Sequence, residues 1–358
     1  MSLHKITDLE DLHEHLYAAM QLEHATIPVY LTALYSIRPG TNVDAYHIIR
    51  AVAVEEMLHL TLVGNLFNAV GGNPDLTRPD FVPRFPAYLP DGETDFQVPL
   101  QGFSRAAIET FLRIERPASL QAEGARTVHA SRKAAPAHGD RHRLRAGHVQ
   151  RDAAEHFYSI GEFYKAIEQG LDELHAQMGE KLFSGDPARQ ITSGYYYSGG
   201  GELTAITDMA SAKKALDLIA EQGEGVTDAI FDSEGEIAHY YRFHQILLGR
   251  YYVEGDVQNH PTGAPLVVDW GAAYPVRTNA TLADYPAGSE LRAGAEAFNR
   301  AYADFLGLLT RALQGRPELF VEAVGSMFRI KDLCYGLMRQ SIPGMPGVNA
   351  APTFEMPG

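Results

Sequence analysis

Two Glu-x-x-His pairs, Glu56–His59 and Glu236–His239, are the residues whose types and spacing point most directly to chemistry in this 358-residue chain. On a helix, an interval of three places the carboxylate and the imidazole one turn apart on the same face. Oxygen and imidazole donors together suit iron or manganese, and zinc as well. Glu56 and His59 lie on the line of Ile49, Val52, Val63 and Phe67, while Glu236 and His239 share a face with Phe243 and Leu247. A carboxylate on an apolar stripe faces a core. There an ionised group is costly unless it is paired or bound to a cation.

One Glu-x-x-His arises easily by chance on a Glu-rich helix, but two of them demand a common explanation. In four-helix bundles that hold a pair of metal ions, two helices each supply one Glu and the other two each supply a Glu-x-x-His. Glu23 fits the first role, being in line with Leu16, Met20, Ile27, Tyr30 and Leu34. Glu162, in SIGEFYKAI, is the candidate for the second, although it projects almost opposite the stripe of Ile160, Phe163, Ile167 and Leu171, and Glu155 is its rival. The expected metal ligands are therefore Glu23, Glu56, His59, Glu162, Glu236 and His239. They would hold two metal ions, iron first and manganese or zinc as alternatives. Four carboxylates would balance two divalent charges, two of them bridging, and open coordination positions would make the pair reactive towards a small oxidant.

Neighbouring residues take blander readings. Glu55, one position off the inward line, reads as a surface residue or a support behind the ligands. His24 and His244 read as hydrogen-bonded structural residues. Tyr30, Tyr158 and Tyr240 can lie near the metals, but core packing with a bonded hydroxyl is the commoner fate of a buried tyrosine. No catalytic residue is assigned.

The elements that must position these groups are helical. Apolar residues at steps of three and four predict bundle helices over about 8–37, 45–70, 152–178 and 227–252. Pro28 falls inside the first, which Pro39-Gly40 ends, and Gly71-Gly72 closes the second. Residues 73–150 and 183–226 read as insertions. The first is rich in proline up to Pro99 and carries a short helix from Ser104 to Glu115; the second carries a helix from Asp208, its N-cap, to Gln222. Between them, 118–150 mixes arginines with His129, His138, His142 and His148 and few large apolar residues, the composition of a solvated loop. Two further helices are expected within 290–338. The whole reads as one all-α domain over 1–358: a four-helix bundle with long loop excursions and additional C-terminal helices.

Bulk composition narrows the function. A formal net charge of −15 argues against a nucleic-acid partner. No run approaches the length of an apolar membrane span, and the opening MSLHKITDLEDL has neither the basic start nor the apolar run of a secretory signal, so a cytoplasmic location is expected. The single cysteine, Cys334, leaves no internal disulfide and no Cys-based metal site.

The segments LEHATIPVYLTALYSI (22–37), VEEMLHLTLVGNLFNAVGG (54–72), SIGEFYKAI (159–167), YYYSGGGELTAITDMASA (195–212) and EIAHYYRFHQI (236–246) resemble the ferritin-like family named for the iminophenyl-pyruvate dimer synthase of violacein biosynthesis. The resemblance spans most of the chain and departs at 118–150. It implies a ferritin-like bundle with the same six ligands. It also implies an oxidoreductase of secondary metabolism acting on a small organic substrate with oxygen or peroxide, in the manner of oxidative coupling of an amino-acid-derived imine. The alternatives are an iron-handling ferroxidase, disfavoured by the long excursions, and a structural metal-binding module. Association of copies of the chain is left open.

Overall fold

The computed structural model describes residues 5–90, 96–117, 120, 160–195, 201–224, 229–232 and 235–357. Among them are eight α-helices: α1 Leu9–Ser36, α2 Val43–Ala69, α3 Arg105–Ile114, α4 Ile160–Met178, α5 Met209–Glu224, α6 His239–Leu248, α7 Glu290–Leu313 and α8 Leu319–Met338. No strand occurs among the described residues; extended segments meet only in isolated bridges such as Ala87↔Val98. None of the described helices is long and apolar enough to cross a membrane.

The helix starts follow from local chemistry. Asp8 accepts from the Asp11 amide at the head of α1 (2.9 Å), and Ser104 and Ser289 accept from the Ala107 and Arg292 amides at α3 and α7 (both 3.1 Å). Asp208 likewise takes the Ser211 amide (2.8 Å) just before α5. Each contact satisfies one of the amides that a first turn leaves without a helical partner.

α1 is the centre of the molecule. Every residue from His15 to Ser36 is buried, so the helix has no polar face, and it runs unbroken through Pro28. A helix covered on all sides needs neighbours on all sides. α2 lies along its length, α4 and α3 pack beside it, and α8 closes the remaining flank, with α7 against both α8 and α2. α6 sits against α2, α3 and α5. The tight α2–α7 approach needs Gly64, where a Cβ would come within 2.8 Å of Leu313 Cδ2.

The excursion after α4 is stitched to α2 by paired bonds. Asn65 Nδ2 donates to the Ile191 carbonyl (2.7 Å) and its Oδ1 accepts from the Ile191 amide (2.9 Å). At Gly185 the chain passes so close to α2 that a Cβ would lie 1.8 Å from the Asn68 carbonyl oxygen, and the Gly185 amide donates to Ala69 O (2.9 Å).

One element differs from expectation. The fourth bundle helix, read as 227–252, is only His239–Leu248. Ahead of it Phe231 bridges Ile237, Asp232 Oδ1 accepts the Glu236 amide (2.8 Å), and Gly235 adopts a φ of 84°, so the chain folds into a tight turn and becomes helical only at His239. Gly249, at φ 70°, then ends the helix in the left-handed conformation that glycine takes without strain. Of the basic stretch 118–150, all but Leu120 lies outside the described residues, as do Tyr158, Glu155 and residues 196–200 of the Gly-rich segment.

Candidate metal centre

Glu23 on α1, Glu56 and His59 on α2, and His239 at the first residue of α6 converge in the interior, each no more than 3% exposed. Glu115, the residue that ends α3, joins them from the opposite wall and is 4% exposed. The donors fall into two groups, Glu23–Glu56–His59 and Glu56–Glu115–His239, whose ligand atoms lie within 4.8 Å of one another in each group. Glu56 belongs to both, which is the place of a bridging carboxylate.

Two of the expected ligands lie outside both groups. Glu236 is on the turn before α6, not on the helix, so its spacing to His239 no longer puts the two on one face. Its side chain is 66% exposed and pairs with Arg242 Nη2 at 3.3 Å. Glu162 is half-buried in the first turn of α4, on a different side from Phe163 and Tyr164, which are buried. In its stead α4 contributes Tyr164, whose hydroxyl donates to Glu23 Oε1.

Glu115 is not among the ligands expected from the sequence, although it carries the same signal as Glu23. Ile108, Phe111 and Glu115 follow one another at steps of three and four, and both apolar residues are fully buried. A carboxylate continuing an apolar stripe points inward for the reason given for Glu23.

The imidazoles are held from behind. His59 Nε2 donates to Gln222 Oε1 of α5 (2.8 Å), and His239 Nε2 donates to Glu55 Oε2 (2.9 Å). With Nε2–H committed to those acceptors, each ring turns its Nδ1 towards carboxylates: His59 to Glu23 Oε2 at 3.4 Å and Glu56 Oε1 at 3.8 Å, His239 to Glu56 Oε1 at 3.0 Å and Glu115 Oε2 at 3.6 Å. His239 Nδ1 is buried and, among the described residues, lacks an aligned hydrogen-bond partner. The two rings lie nearly parallel, 5.6 Å apart. Glu55, the residue beside the inward line, is thus buried behind His239, where Arg242 Nη2 also approaches it at 3.4 Å.

The carboxylates are held by hydroxyls as well. Thr26 donates to Glu56 Oε2 (2.9 Å), Tyr30 donates to Glu115 Oε1, and Tyr164 to Glu23. Tyr30, Phe111 and Phe243 form an aromatic triangle with ring centroids 4.8 to 5.2 Å apart, which excludes water from that side. His24 and His244 take structural bonds, to the hydroxyls of Tyr302 (2.6 Å) and Tyr252 (3.0 Å).

Without a cation, this concentration of negative charge draws protons in. Burial, followed by the charge of Glu115, pushes the Glu56 carboxyl up to about 7. Burial alone would lower both histidines, but Glu23 more than offsets it at His59, and Glu115, Glu55 and Glu56 together hold His239 well above its ordinary value. At Glu55 the order reverses: burial raises it, and the hydrogen bond and charge of His239, with Arg242, bring it below the usual carboxylate range. Two buried imidazole nitrogens and three carboxylates form a donor set in which cations would take the place of those protons, so these residues are compatible with a metal site.

The bundle and its buried carboxylate–histidine centre define the class: the family model described as Ferritin-like matches residues 16–248, and the chain belongs to that family. The chain is 26% identical to a dichlorochromopyrrolate synthase of Lentzea aerocolonigenes in an alignment of 347 residues that covers 85% of this chain. The chain spans only 29% of the length of that relative. A crystal structure of a ferritin-like protein from Caulobacter vibrioides superposes with a TM-score of 0.60, covering 94% of this chain and 98% of that one at 24% identity.

Proposed function

We propose that the protein is a di-metal oxidoreductase acting on a small organic substrate of secondary metabolism, with iron as the first choice of metal. The observation that carries this reading is the sharing of Glu56 between two buried ligand groups, Glu23–Glu56–His59 and Glu56–Glu115–His239. Glu23, Glu56, His59, Glu115 and His239 would hold two ions, which would supply redox chemistry with oxygen or peroxide.

The chain's own residues do the rest. Gln222 and Glu55 fix the ring orientation of His59 and His239, so that Nδ1 of each faces the centre. Tyr164, Thr26 and Tyr30 orient the three carboxylates, each donating a hydrogen bond to one oxygen. The ring triangle of Tyr30, Phe111 and Phe243 keeps the surroundings dry, which strengthens every charge interaction within.

The class of substrate is supported by the resemblance to the iminophenyl-pyruvate dimer synthase family and by similarity to an enzyme named for synthesis of dichlorochromopyrrolate. On this reading the reaction is the oxidative coupling of an amino-acid-derived imine. The test is oxygen uptake by the iron-loaded, chemically reduced protein, with and without such an imine generated in place. Uptake that rises with the imine and yields a dimeric product supports the proposal. Progressive loading with many irons per chain and no effect of the imine points to iron handling, and no redox response at all points to a structural metal.

A further inference from the structure

Between α1 and α2 on one side and the α7–α8 hairpin on the other lies a cavity of ≈ 210 Å³. It touches the same turns that carry the metal centre, but around the side of each helix. His24, Met57 and Leu60 line it, each directly following Glu23, Glu56 and His59, and successive helical residues point about 100° apart. Its far wall comes from residues beyond the 16–248 that define the family.

The lining has a consistent character. Tyr35, Phe305, Phe320 and Phe328 present rings, and Met57 and Met327 add flexible thioethers that pack well against aromatic groups. Phe328 is 65% exposed, an unusual position for a large apolar residue unless something covers it. Two cations also line the cavity, the exposed Arg50 and the half-exposed Lys331, and neither is ion-paired among the described residues. In the interior His24 is fully buried, and its Nδ1 lacks a hydrogen-bond partner among the described residues while Nε2 is taken by the Tyr302 hydroxyl. A buried polar atom left unbonded on a cavity wall is a place for a ligand atom.

We infer that this cavity binds an aromatic carboxylate, its ring between Phe305, Phe320 and Met327 and its anionic head at Arg50 and Lys331. The inference rests on the cavity alone and needs no metal, so it stands or falls separately from the redox proposal.

The test is calorimetric titration of the full chain with 1-naphthylacetate and with its uncharged isostere 1-naphthylacetamide. The acid is expected to bind at one site per chain, at least about fivefold tighter than the amide, given two rim cations of modest individual strength. Arg50→Gln with Lys331→Gln should erase that preference. Val324→Trp, which fills the cavity from α8, should abolish binding of both compounds while leaving the thermal melt near that of the parent. Absence of acid binding at millimolar concentration, equal affinity for acid and amide, or unchanged binding in Val324→Trp would each overturn the assignment. Should Val324→Trp fail to fold, the charge variant still decides.

Discussion

Replacing Glu115 separates the buried donor groups of the structure from the ligand set expected from the sequence. Glu115 supplies one of three side chains in the Glu56–Glu115–His239 group and none in the Glu23–Glu56–His59 group. Glu115→Ala should therefore reduce tightly bound metal from two ions per chain to one. The affected site should weaken at least about 100-fold, since loss even of residues behind metal ligands costs about 10- to 100-fold. The metal-free protein should also lose stability, because the Tyr30 hydroxyl, fully buried, is left without its acceptor. An unsatisfied buried group of this kind costs about 1–3 kcal/mol, which in a chain of this size lowers Tm by roughly 1–4 °C. Glu115→Gln retains an acceptor and should keep most of that stability while still losing the second ion. The assay is competition titration of metal-stripped protein with elemental analysis, run beside Glu162→Ala and Glu236→Ala, both expected to hold two ions. Two ions retained in Glu115→Ala, with one lost in Glu162→Ala or Glu236→Ala, would refute the reasoning.

Gln222→Ala removes the acceptor behind His59, and metal affinity at the Glu23–Glu56–His59 group should fall about 10- to 100-fold with little change in the other, as read by the same titration. His244 is held below its ordinary pKa by burial; the unfolded chain therefore takes up a proton first as pH falls, so this residue's stabilising contribution is present above about 6.5 and is lost below it. Urea melts of His244→Gln from pH 7 to 5 should show a shallower loss of stability than the parent, and an equal slope would disprove the role. Phe243→Ala opens the aromatic triangle at a fully buried position and should cost about 3–5 kcal/mol in chemical denaturation.

The bundle was legible because its signals are local and repeated. The stripes of α1 and α2, with Gly71-Gly72 closing the latter, require only neighbours at three and four residues. Glu56 and His59 were legible for the same reason, being on one uninterrupted helix. His239 was reached through a pairing with Glu236 that the structure does not make, since Asp232 and Gly235 turn the chain before helix begins. Spacing on a helix carries meaning only where there is a helix, and helix starts are the least certain feature of a periodic pattern. Glu115 shows the complementary difficulty. Its stripe, Ile108–Phe111–Glu115, is short and follows a proline-rich excursion, so nothing local says that α3 and not α4 supplies a carboxylate to the centre. That choice is made by tertiary packing, in which α3 meets α6 and α1. Gln222 and Glu55 lie behind the ligands through contacts 163 and 184 residues distant in the chain, beyond the reach of any periodicity.

The arrangement of two ions around one shared carboxylate is tested most directly by anomalous diffraction from crystals of the iron-loaded protein. The expected result is two iron peaks about 3.5–4 Å apart, one against Glu23, Glu56 and His59, the other against Glu56, Glu115 and His239. A single peak, or iron ligated by Glu162 or Glu236, would contradict it.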